Sequence, residues 1–333
     1  MPDKIYIIGA GAIGSLVGSF LTRKLGKEKI VLVDVDHEHI NAVKINGLKV
    51  FDKGIKYPQL ETVDVNIVTA DQVDKTKLKN VILATKSYSN EEALKGLNKD
   101  IPLLVLQNGY DERLDEFPNM IRGVEFGFAC QIKEPGYVFN AVKGKYVMGT
   151  STGLNIAVAN WAAIFNESGI KVDMKENIDG YLWSKLLINS ALNPVSALMK
   201  CSFKELIETD EYRQLFKTLY TESYPIVKRK SDELNQKLGS FIGPPNVANW
   251  LFKKPMMSDF LLKKIADKFG EVESSMLQDV RKNRLTEIDY INGAIIKLAK
   301  QYGIETPKNK WIREQIKKLH PTETRSASAG IKS

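Results

Sequence analysis

An α/β fold followed by an all-helical domain is predicted by three observations. Residues 5–8 form a short apolar strand pattern, and a G-x-G-x-x-G motif at 9–14 opens an apolar-periodic helix pattern. A second strand pattern, 29–34, ends in an acid 20 residues after the last glycine of the motif. From residue 178 onward the apolar spacing is helical. The strand, glycine-rich turn and helix are typical of a Rossmann-type doubly wound sheet, which is the fold predicted for the N-terminal domain.

Each glycine of the motif has a physical role. Gly9 permits the tight turn, Gly11 lets the backbone approach a pyrophosphate, and Gly14 lets the helix pack closely on the strand. The helix N-terminus offers N–H groups and partial positive charge to phosphates. The position of Asp34 suits a carboxylate that accepts hydrogen bonds from the adenosine ribose. These residues predict a dinucleotide site, and a glycine-rich turn without a ligand is the alternative.

Length and composition exclude several classes of protein. The 333 residues favour two domains, and no apolar run approaches the ~18 residues of a membrane span. The first strand begins too early for a signal peptide, so we expect a cytoplasmic protein that contacts no membrane. The two cysteines and three histidines have no metal-binding or redox spacing, so no metal is expected. His37 and His39 follow the second strand closely, which argues against a histidine-based dehydrogenase mechanism.

The formal net charge is +8, and part of the excess lies after residue 299. This segment has neither aromatic interleaving nor a nucleic-acid motif, so a solvated basic helix face is favoured over a nucleic-acid partner. The positive field would also attract an anionic substrate and cofactor.

The N-terminal patterns predict further elements, which together span a dinucleotide-binding domain at 1–150. Residues 37–46 are predicted as a helix that Gly47 ends, and short alternating stretches as small strands that elaborate the sheet. These small strands lie within 48–51 and 55–68, and further strands are predicted at 80–85, 102–107, 123–130 and 137–148. Lys86 and Asn108 each follow the end of a strand, where doubly wound sheets bind their ligands.

The C-terminal half is predicted to be helical. Residues 151–177 are expected to form a connecting segment packed on the first domain, 178–320 a helical substrate domain, and 321–333 a disordered tail. Helices are predicted at 156–165, 178–192, 203–208, 211–235, 258–270, 274–283, 286–302 and 309–319, with a loop at 239–246.

A polar stripe marks the first helix of this half. Lys185, Asn189 and Asn193 are spaced four apart, so they lie in one line on one helix face, while their neighbours are apolar. Burying a lysine and two amides without partners would cost several kcal/mol, so they are paired or face a polar cleft. A buried polar network that only fixes helix packing is the alternative.

A second polar cluster spans residues 274–293. Ser275 and Asp279 share a helix face. Thr286 is predicted as an N-cap, with Asp289 three residues later in an arrangement like a capping box. Glu287 would then lie in the first helical turn, where the helix dipole stabilises a carboxylate, and that helix-end role is the alternative to a functional one.

These motifs, in this order, resemble the ketopantoate reductase (2-dehydropantoate 2-reductase) family over roughly residues 4–320. The resemblance rests on the following motifs: Gly9-x-Gly11-x-x-Gly14, Ala84-Thr-Lys86-Ser, Leu106-Gln-Asn108-Gly109, Glu134-Pro-Gly136, Trp183-x-Lys185-x-x-x-Asn189-x-x-x-Asn193-Pro194, and Ser274-Ser-Met-Leu-Gln-Asp279 to Thr286-Glu-Ile-Asp-Tyr-Ile-Asn-Gly293. The last two motifs are the specific ones.

The resemblance implies a role for each motif residue. The cofactor phosphates would be held by Gly9, Ala10, Gly11, Ala12, Ile13 and Gly14. Lys86 and Asn108 would line the cofactor and substrate cleft, Ala129 would touch the cofactor, and Glu287 would contact the nicotinamide ribose end as part of the catalytic set. Lys185 would be the proton donor and substrate ligand. The substrate would further be held by Asn189, Asn193 and Ser275.

The resemblance implies that a small 2-keto acid, 2-dehydropantoate, is reduced in a cleft between the two domains. It leaves open whether the protein forms a homodimer. Asp34 stands where many members that use NADPH carry a basic residue, so NADH is the preferred cofactor and NADPH the second choice. Phe203 and the irregular stretch 230–270 leave another 2-keto acid open as substrate. A dinucleotide-binding regulator without turnover is the alternative from another class.

Overall fold

The computed structural model describes residues 4–53, 58–240, 243–254, 257–260, 262–263, 266, 270 and 272–320. The chain forms two compact units, Met1–Leu182 and Trp183–Ser333. The boundary lies inside a helix, a few residues after the limit at 177/178 that the sequence suggests. The predicted tail, 321–333, lies outside the described residues, as does most of the predicted helix 258–270.

The first unit is built on an eight-stranded sheet. Its first six strands in chain order are all parallel to one another and follow the order 3-2-1-4-5-6 that defines a doubly wound nucleotide-binding sheet. These strands are β1 (Ile5–Ile8), β2 (Ile30–Asp34), β5 (Asn66–Thr69), β6 (Asn80–Leu83), β7 (Leu104–Val105) and β8 (Ile121–Phe126). Strand β11 (Lys145–Gly149) joins antiparallel to β8, and β12 (Val172–Met174) joins parallel to β11. The predicted fold class is therefore confirmed.

Burial on both faces explains why the central strands are apolar throughout. Ile5, Ile7 and Leu32 are at most 1% exposed and belong to one core cluster. Val81 and Leu83 are also buried and belong to a second cluster. A parallel sheet covered on both faces requires such near-continuous apolar strands. The two clusters lie on opposite faces because side chains alternate along a strand.

A second, four-stranded sheet corrects one prediction. Strands β3 (Leu48–Asp52) and β4 (Leu60–Val63) do not elaborate the main sheet. They pair instead with β9 (Cys130–Glu134) and β10 (Tyr137–Asn140), in the order β4-β3-β10-β9. Residues 54–57 of the predicted stretch lie outside the described part of the chain.

The helices of the first unit flank these strands. They are α1 (Ala12–Leu25), α2 (His37–Asn46), α3 (Asn90–Leu94) and α4 (Ile156–Glu167). The predicted limits of α2 are confirmed, and Gly47 follows it with φ +73°. Asp36 begins α2, because its carboxylate accepts a hydrogen bond from the N–H of His39. The strand β12 was not predicted.

Helices are the only regular elements described in the second unit. They are α5 (Ile178–Met199, which begins in the first unit), α6 (Phe203–Glu208), α7 (Asp210–Glu233), α8 (Pro245–Phe252), α9 (Ser275–Arg281), α10 (Ile288–Gln301) and α11 (Pro307–Lys318). Helix α8 was not predicted. Helix α5 runs through Pro194 to Met199, so the predicted end at residue 192 is wrong.

Candidate active site

The glycine motif forms the turn between β1 and α1. Gly9 has φ +99°, and a Cβ atom there would lie 2.5 Å from the backbone nitrogen of Thr85, which follows β6. A Cβ at Gly14 would lie 1.8 Å from the Gly9 carbonyl oxygen, so only glycine allows this contact between helix and turn. A Cβ at Gly11 would meet no atom within 4 Å. The first and third glycines are therefore needed for packing, whereas the second borders open space.

That open space lies at the N-terminus of α1, and its chemistry fits a phosphate group. Gly11 is the N-cap, contributes no side chain, and the first turn carries no acidic residue. The first N–H groups of a helix lack intrahelical acceptors and carry partial positive charge. A pyrophosphate placed there would receive N–H donors without meeting a competing carboxylate.

Asp34 lies at the carboxyl end of β2, beside this turn. Its Oδ2 accepts a hydrogen bond from the N–H of Ala10, and its Oδ1 accepts from the N–H groups of Val35 (2.7 Å) and Asp36 (3.0 Å). A carboxylate has about four acceptor positions, so capacity remains for a ribose hydroxyl. The carboxylate thus also orders the glycine turn, a role that sequence spacing did not reveal.

The turns after β6 and β7 lie together next to the point where the strand order reverses. The hydroxyl of Ser87, adjacent to Lys86, donates a hydrogen bond to the Asn108 carbonyl oxygen at 2.7 Å. The two predicted site residues are therefore brought close by a direct link between their loops. Ser87 and Asn108 also line a cleft together with Gln107, Asp111, Arg122 and Leu182.

A side-chain network that the sequence analysis missed fixes these turns. The Gln107 amide nitrogen donates to the carbonyl and hydroxyl oxygens of Thr85 (both 2.9 Å) and to Asn90 Oδ1 (2.6 Å). The Asn90 amide in turn donates to Asp111 at 2.7 Å. The only sequence signal was the placement of Gln107 at the end of a buried strand.

Two further contacts fix parts of the first unit, one at Ala129 and one at the start of α5. Ala129 directly precedes β9, and its carbonyl oxygen accepts from the N–H of Ala141 at 2.9 Å. The guanidinium of Arg122 on β8 forms an ion pair with Asp179, in the first turn of α5, at 3.2 Å. Both side chains of that pair are 7% exposed, so the start of α5 is fixed to the sheet.

The predicted polar stripe lies on α5 in the second unit. Lys185 and Asn189 are half-buried, as are the apolar neighbours Ile188 and Leu192, whereas Asn193 is 5% exposed. The opposite side of the helix is buried core, with Leu186 and Leu187 at most 2% exposed. The partly open face of α5 is therefore the side that carries the lysine and the first amide.

Ser275 is placed beside the end of this stripe by its neighbour. The hydroxyl of Ser274 accepts a hydrogen bond from the N–H of Leu277, which caps α9, and contacts the carbonyl oxygen of Asn193 at 3.4 Å. The backbone at Ser275, the next residue, therefore lies close to the turn of α5 that carries Asn193. Asp279 on the same helix is buried and pairs with Arg284 at 2.8 Å.

Glu287 occupies a different position from the predicted one. It is the N-cap residue of α10, is 4% exposed, and its side chain makes no capping hydrogen bond. The predicted capping box is wrong, because the Thr286 hydroxyl pairs with His320 Nε2 at 2.8 Å and Asp289 forms ion pairs with Arg313 and Lys317. Glu287 is therefore a buried carboxylate at the start of α10, and its site role stays a prediction.

Among the residues that the structure describes, no three or more histidine, cysteine, aspartate or glutamate side chains form a group that could hold a metal ion. None of the helices that the structure describes is long and apolar enough to cross a membrane.

Comparison with known proteins extends along nearly the whole chain. Residues 5–153 match the family model described as ketopantoate reductase PanE/ApbA, and residues 177–320 match the model of its C-terminal domain. The 2-dehydropantoate 2-reductase of Pyrococcus abyssi is 30% identical over 312 residues, covering 92% of this chain and 94% of its own. This chain belongs to the ketopantoate reductase family.

Solved structures show the same fold. A PanE/ApbA family ketopantoate reductase from Ralstonia eutropha has a TM-score of 0.75 at 24% identity, with 95% of this chain and 98% of that chain covered. A D-mandelate dehydrogenase, solved with NADH and anilino(oxo)acetate, has a TM-score of 0.76 at 24% identity, with the same coverage.

Proposed function

We propose that this protein reduces 2-dehydropantoate to pantoate with a nicotinamide cofactor, a step of pantothenate and coenzyme A biosynthesis. The observation that carries the proposal is the match of 92% of the chain to a 2-dehydropantoate 2-reductase. The matched family models include both the glycine turn of the first unit and the lysine-bearing helix of the second. A regulator without turnover would have no need of the Lys185, Asn189 and Asn193 face.

The chemistry assigns distinct tasks to the residues of α5. Ketone reduction adds a hydride to carbon and a proton to oxygen, and the reduced nicotinamide, when bound, supplies the hydride. The Lys185 ammonium donates the proton to the keto oxygen as general acid. The amides of Asn189 and Asn193 orient the hydroxyl and carboxylate oxygens of the substrate, and the Ser275 hydroxyl is a further donor.

The dinucleotide is assigned to residues of the first unit. The turn from Gly9 to Gly14 holds the phosphates, and Asp34 binds the adenosine ribose. Lys86 and Asn108 line the cofactor and substrate cleft, and Ala129 touches the cofactor. Glu287 is assigned to the nicotinamide ribose end. NADH is the proposed preferred cofactor because the 2′-phosphate of NADPH would approach the Asp34 carboxylate, whose Oδ1 and Oδ2 already face three backbone donors.

Steady-state oxidation of NADH and NADPH tests the proposal against a panel of keto acids. The panel contains 2-dehydropantoate, pyruvate, 2-oxoisovalerate and phenylglyoxylate. We expect the highest kcat/KM with 2-dehydropantoate, by at least about tenfold. A higher kcat/KM with another member would reassign the substrate within the same reaction class. Dinucleotide binding without turnover of any member would favour the regulator.

Two expectations from the sequence stay predictions within this proposal. The family resemblance leaves a homodimer open, and sedimentation equilibrium of the purified chain decides it. A cytoplasmic location is expected, and fractionation of cells that express the full chain tests it.

A further inference from the structure

A line of hydrogen bonds joins the glycine turn to a buried histidine. His39 on α2 is 3% exposed, and its Nδ1 accepts a hydrogen bond from the N–H of Gly136 at 3.1 Å. Its Nε2 lies 3.3 Å from the hydroxyl oxygen of Ser15 on α1. That hydroxyl donates to the carbonyl oxygen of Ala10, in the middle of the turn, at 2.7 Å.

The donors and acceptors in this line fix the state of the ring. A backbone N–H can only donate, so Nδ1 must be the acceptor and carries no proton. The ring is then the neutral tautomer protonated at Nε2, which donates to the Ser15 oxygen. Because Ser15 receives that bond, its own proton is directed at the Ala10 carbonyl. Every bond in the line has one donor and one acceptor.

The two peptide groups of Ala10 are therefore held from both sides. Its N–H donates to Asp34 Oδ2, and its carbonyl oxygen accepts from Ser15. Ala10 lies between Gly9, which contacts the turn after β6, and Gly11, which borders the open space at the helix N-terminus. A shift of the Ala10 peptide groups would move the backbone N–H groups assigned to the phosphates.

We infer that His39 is a positioning residue for the dinucleotide, holding the Ala10 carbonyl through Ser15 only while its ring is neutral. Protonation of Nδ1 would set two donors, the ring N–H and the Gly136 N–H, against each other in a buried position. Repulsion from the Gly136 N–H would turn the ring out of the hairpin between β9 and β10. Its Nε2–H would then leave the Ser15 oxygen and would no longer direct the Ser15 proton at the Ala10 carbonyl. This inference rests on the dinucleotide-binding part of the proposed function.

The groups around the His39 ring change its pKa. Burial lowers the pKa of His39 below its usual value, although the carboxylates of Asp34 and Asp36 act in the opposite direction. The described partners from α1 and the hairpin are a hydroxyl and a backbone N–H, which carry no charge. The neutral ring is thus the form present near neutral pH, and binding should weaken as pH falls through the pKa of His39.

Direct binding of NADH to the full chain tests the link at Ser15. Ser15→Ala should raise the Kd for NADH about five- to tenfold, as expected for one lost hydrogen bond to the turn. Ser19→Ala is the matched control, because Ser19 is equally buried on α1 but donates to the Leu16 carbonyl instead. An equal Kd change in both variants would show only a packing effect and would overturn the inference.

The ionisation of His39 provides the decisive readout. Its ring resonances, assigned by their loss in His39→Asn, are titrated in the free protein and in the NADH complex. Since binding and protonation are reciprocal, a tenfold preference for the neutral ring lowers the pKa by about one unit in the complex. His39→Asn keeps an acceptor for Gly136 and should bind NADH with little pH dependence.

The outcomes separate the two proposals. If NADH binds but leaves the pKa of His39 unchanged or raises it, the positioning role of His39 is wrong. The assignment of the dinucleotide site still stands in that case, because NADH binds. If neither NADH nor NADPH binds at any pH, the dinucleotide assignment fails and the inference fails with it.

Discussion

The Asn292 side-chain amide donates a hydrogen bond to the backbone carbonyl oxygen of Ser190 at 2.8 Å. That carbonyl would normally accept from the N–H four residues later, but residue 194 is proline and has none. The bond from α10 therefore supplies the missing donor, and α5 continues to Met199. The Asn292 amide that pairs with the Ser190 carbonyl belongs to α10, the helix whose N-cap is Glu287.

Asn292 is itself part of a network that joins four helices, α5, α7, α10 and α11. Its amide also donates to Asn309 Oδ1 at 2.9 Å, and the Asn309 amide donates to Glu222 Oε1 at 2.8 Å. The Glu222 carboxylate accepts from the N–H groups of Lys308 and Asn309, so it caps α11 from α7. These bonds connect the candidate substrate helix α5 to three neighbouring helices.

A double-mutant cycle tests this relationship. Asn292→Ala should lower the free energy of unfolding by about 2 kcal/mol, because the Ser190 carbonyl loses its donor in a buried site. Adding Pro194→Ala restores a helical N–H and should recover about 1 kcal/mol in that background. Urea unfolding of the full chain measures both. Strictly additive costs would show that the two residues do not share an acceptor.

Local patterns predicted the elements whose determinants are close in sequence. The glycine turn and α2 followed from residues within about ten positions of each other, since turn and cap chemistry is local. The second sheet was not predictable in this way, because Asp52 on β3 pairs with Asn140 on β10. Alternation along a strand shows which residues share a face, whereas the partner strand depends on long-range packing.

In the candidate site, too, the features set by local sequence were predicted and those set by distant residues were not. Helical spacing placed Lys185, Asn189 and Asn193 on one face, but it did not reveal that Asn193 is nearly fully buried while the others are half-buried. The end of α5 was predicted too early because proline normally breaks a helix, and its compensating donor lies about a hundred residues away. The capping box failed because His320, far along the chain, competes for Thr286.

Removal of the Lys185 ammonium should abolish most of the turnover. We expect kcat of Lys185→Ala to fall by ~10²–10⁴-fold, with the Kd for NADH little changed, since a general acid acts on the reacting oxygen. Lys300→Ala, which removes an exposed lysine from the last turn of α10, is the control. Near-normal kcat in Lys185→Ala would return the lysine to a packing role.

The two asparagines of the stripe should differ in a way that their burial predicts. Asn189→Ala should raise KM for the keto acid about tenfold with little loss of thermal stability, because it removes substrate binding from a half-buried position. Asn193→Ala should raise KM and also lower Tm, because Asn193 is 5% exposed.

Asn309→Ala serves as the comparison for the asparagine variants, since this buried amide belongs to the helix-joining network. It should lower Tm and leave KM unchanged. If Asn189→Ala changed only Tm, the stripe would be a packing network.

Asp34 should set the cofactor preference. Two like unit charges ~4 Å apart repel by roughly 4 kcal/mol at an effective dielectric constant near 20, and screening reduces this in solution. We therefore expect kcat/KM to favour NADH over NADPH by about one to two decades. Asp34→Ser with Val35→Arg should shift the preference toward NADPH.

The structure adds a second effect to that double variant. The Ala10 N–H loses its carboxylate acceptor, so the Kd values for both cofactors should rise. Asp36→Ser removes a neighbouring charge and keeps a capping oxygen for α2, so it separates charge loss from loss of the turn contact. A wild-type preference for NADPH would show that Asp34 does not select the ribose.

Transfer of label from the cofactor to the product tests the central claim most directly. The protein is incubated with 2-dehydropantoate and NADH that carries deuterium at both C4 positions, and the product is analysed by mass spectrometry and NMR. Hydride transfer predicts pantoate with one deuterium at C2, formed in equal amount to the NADH oxidised. Unlabelled pantoate, or NADH oxidised without pantoate, would contradict the account.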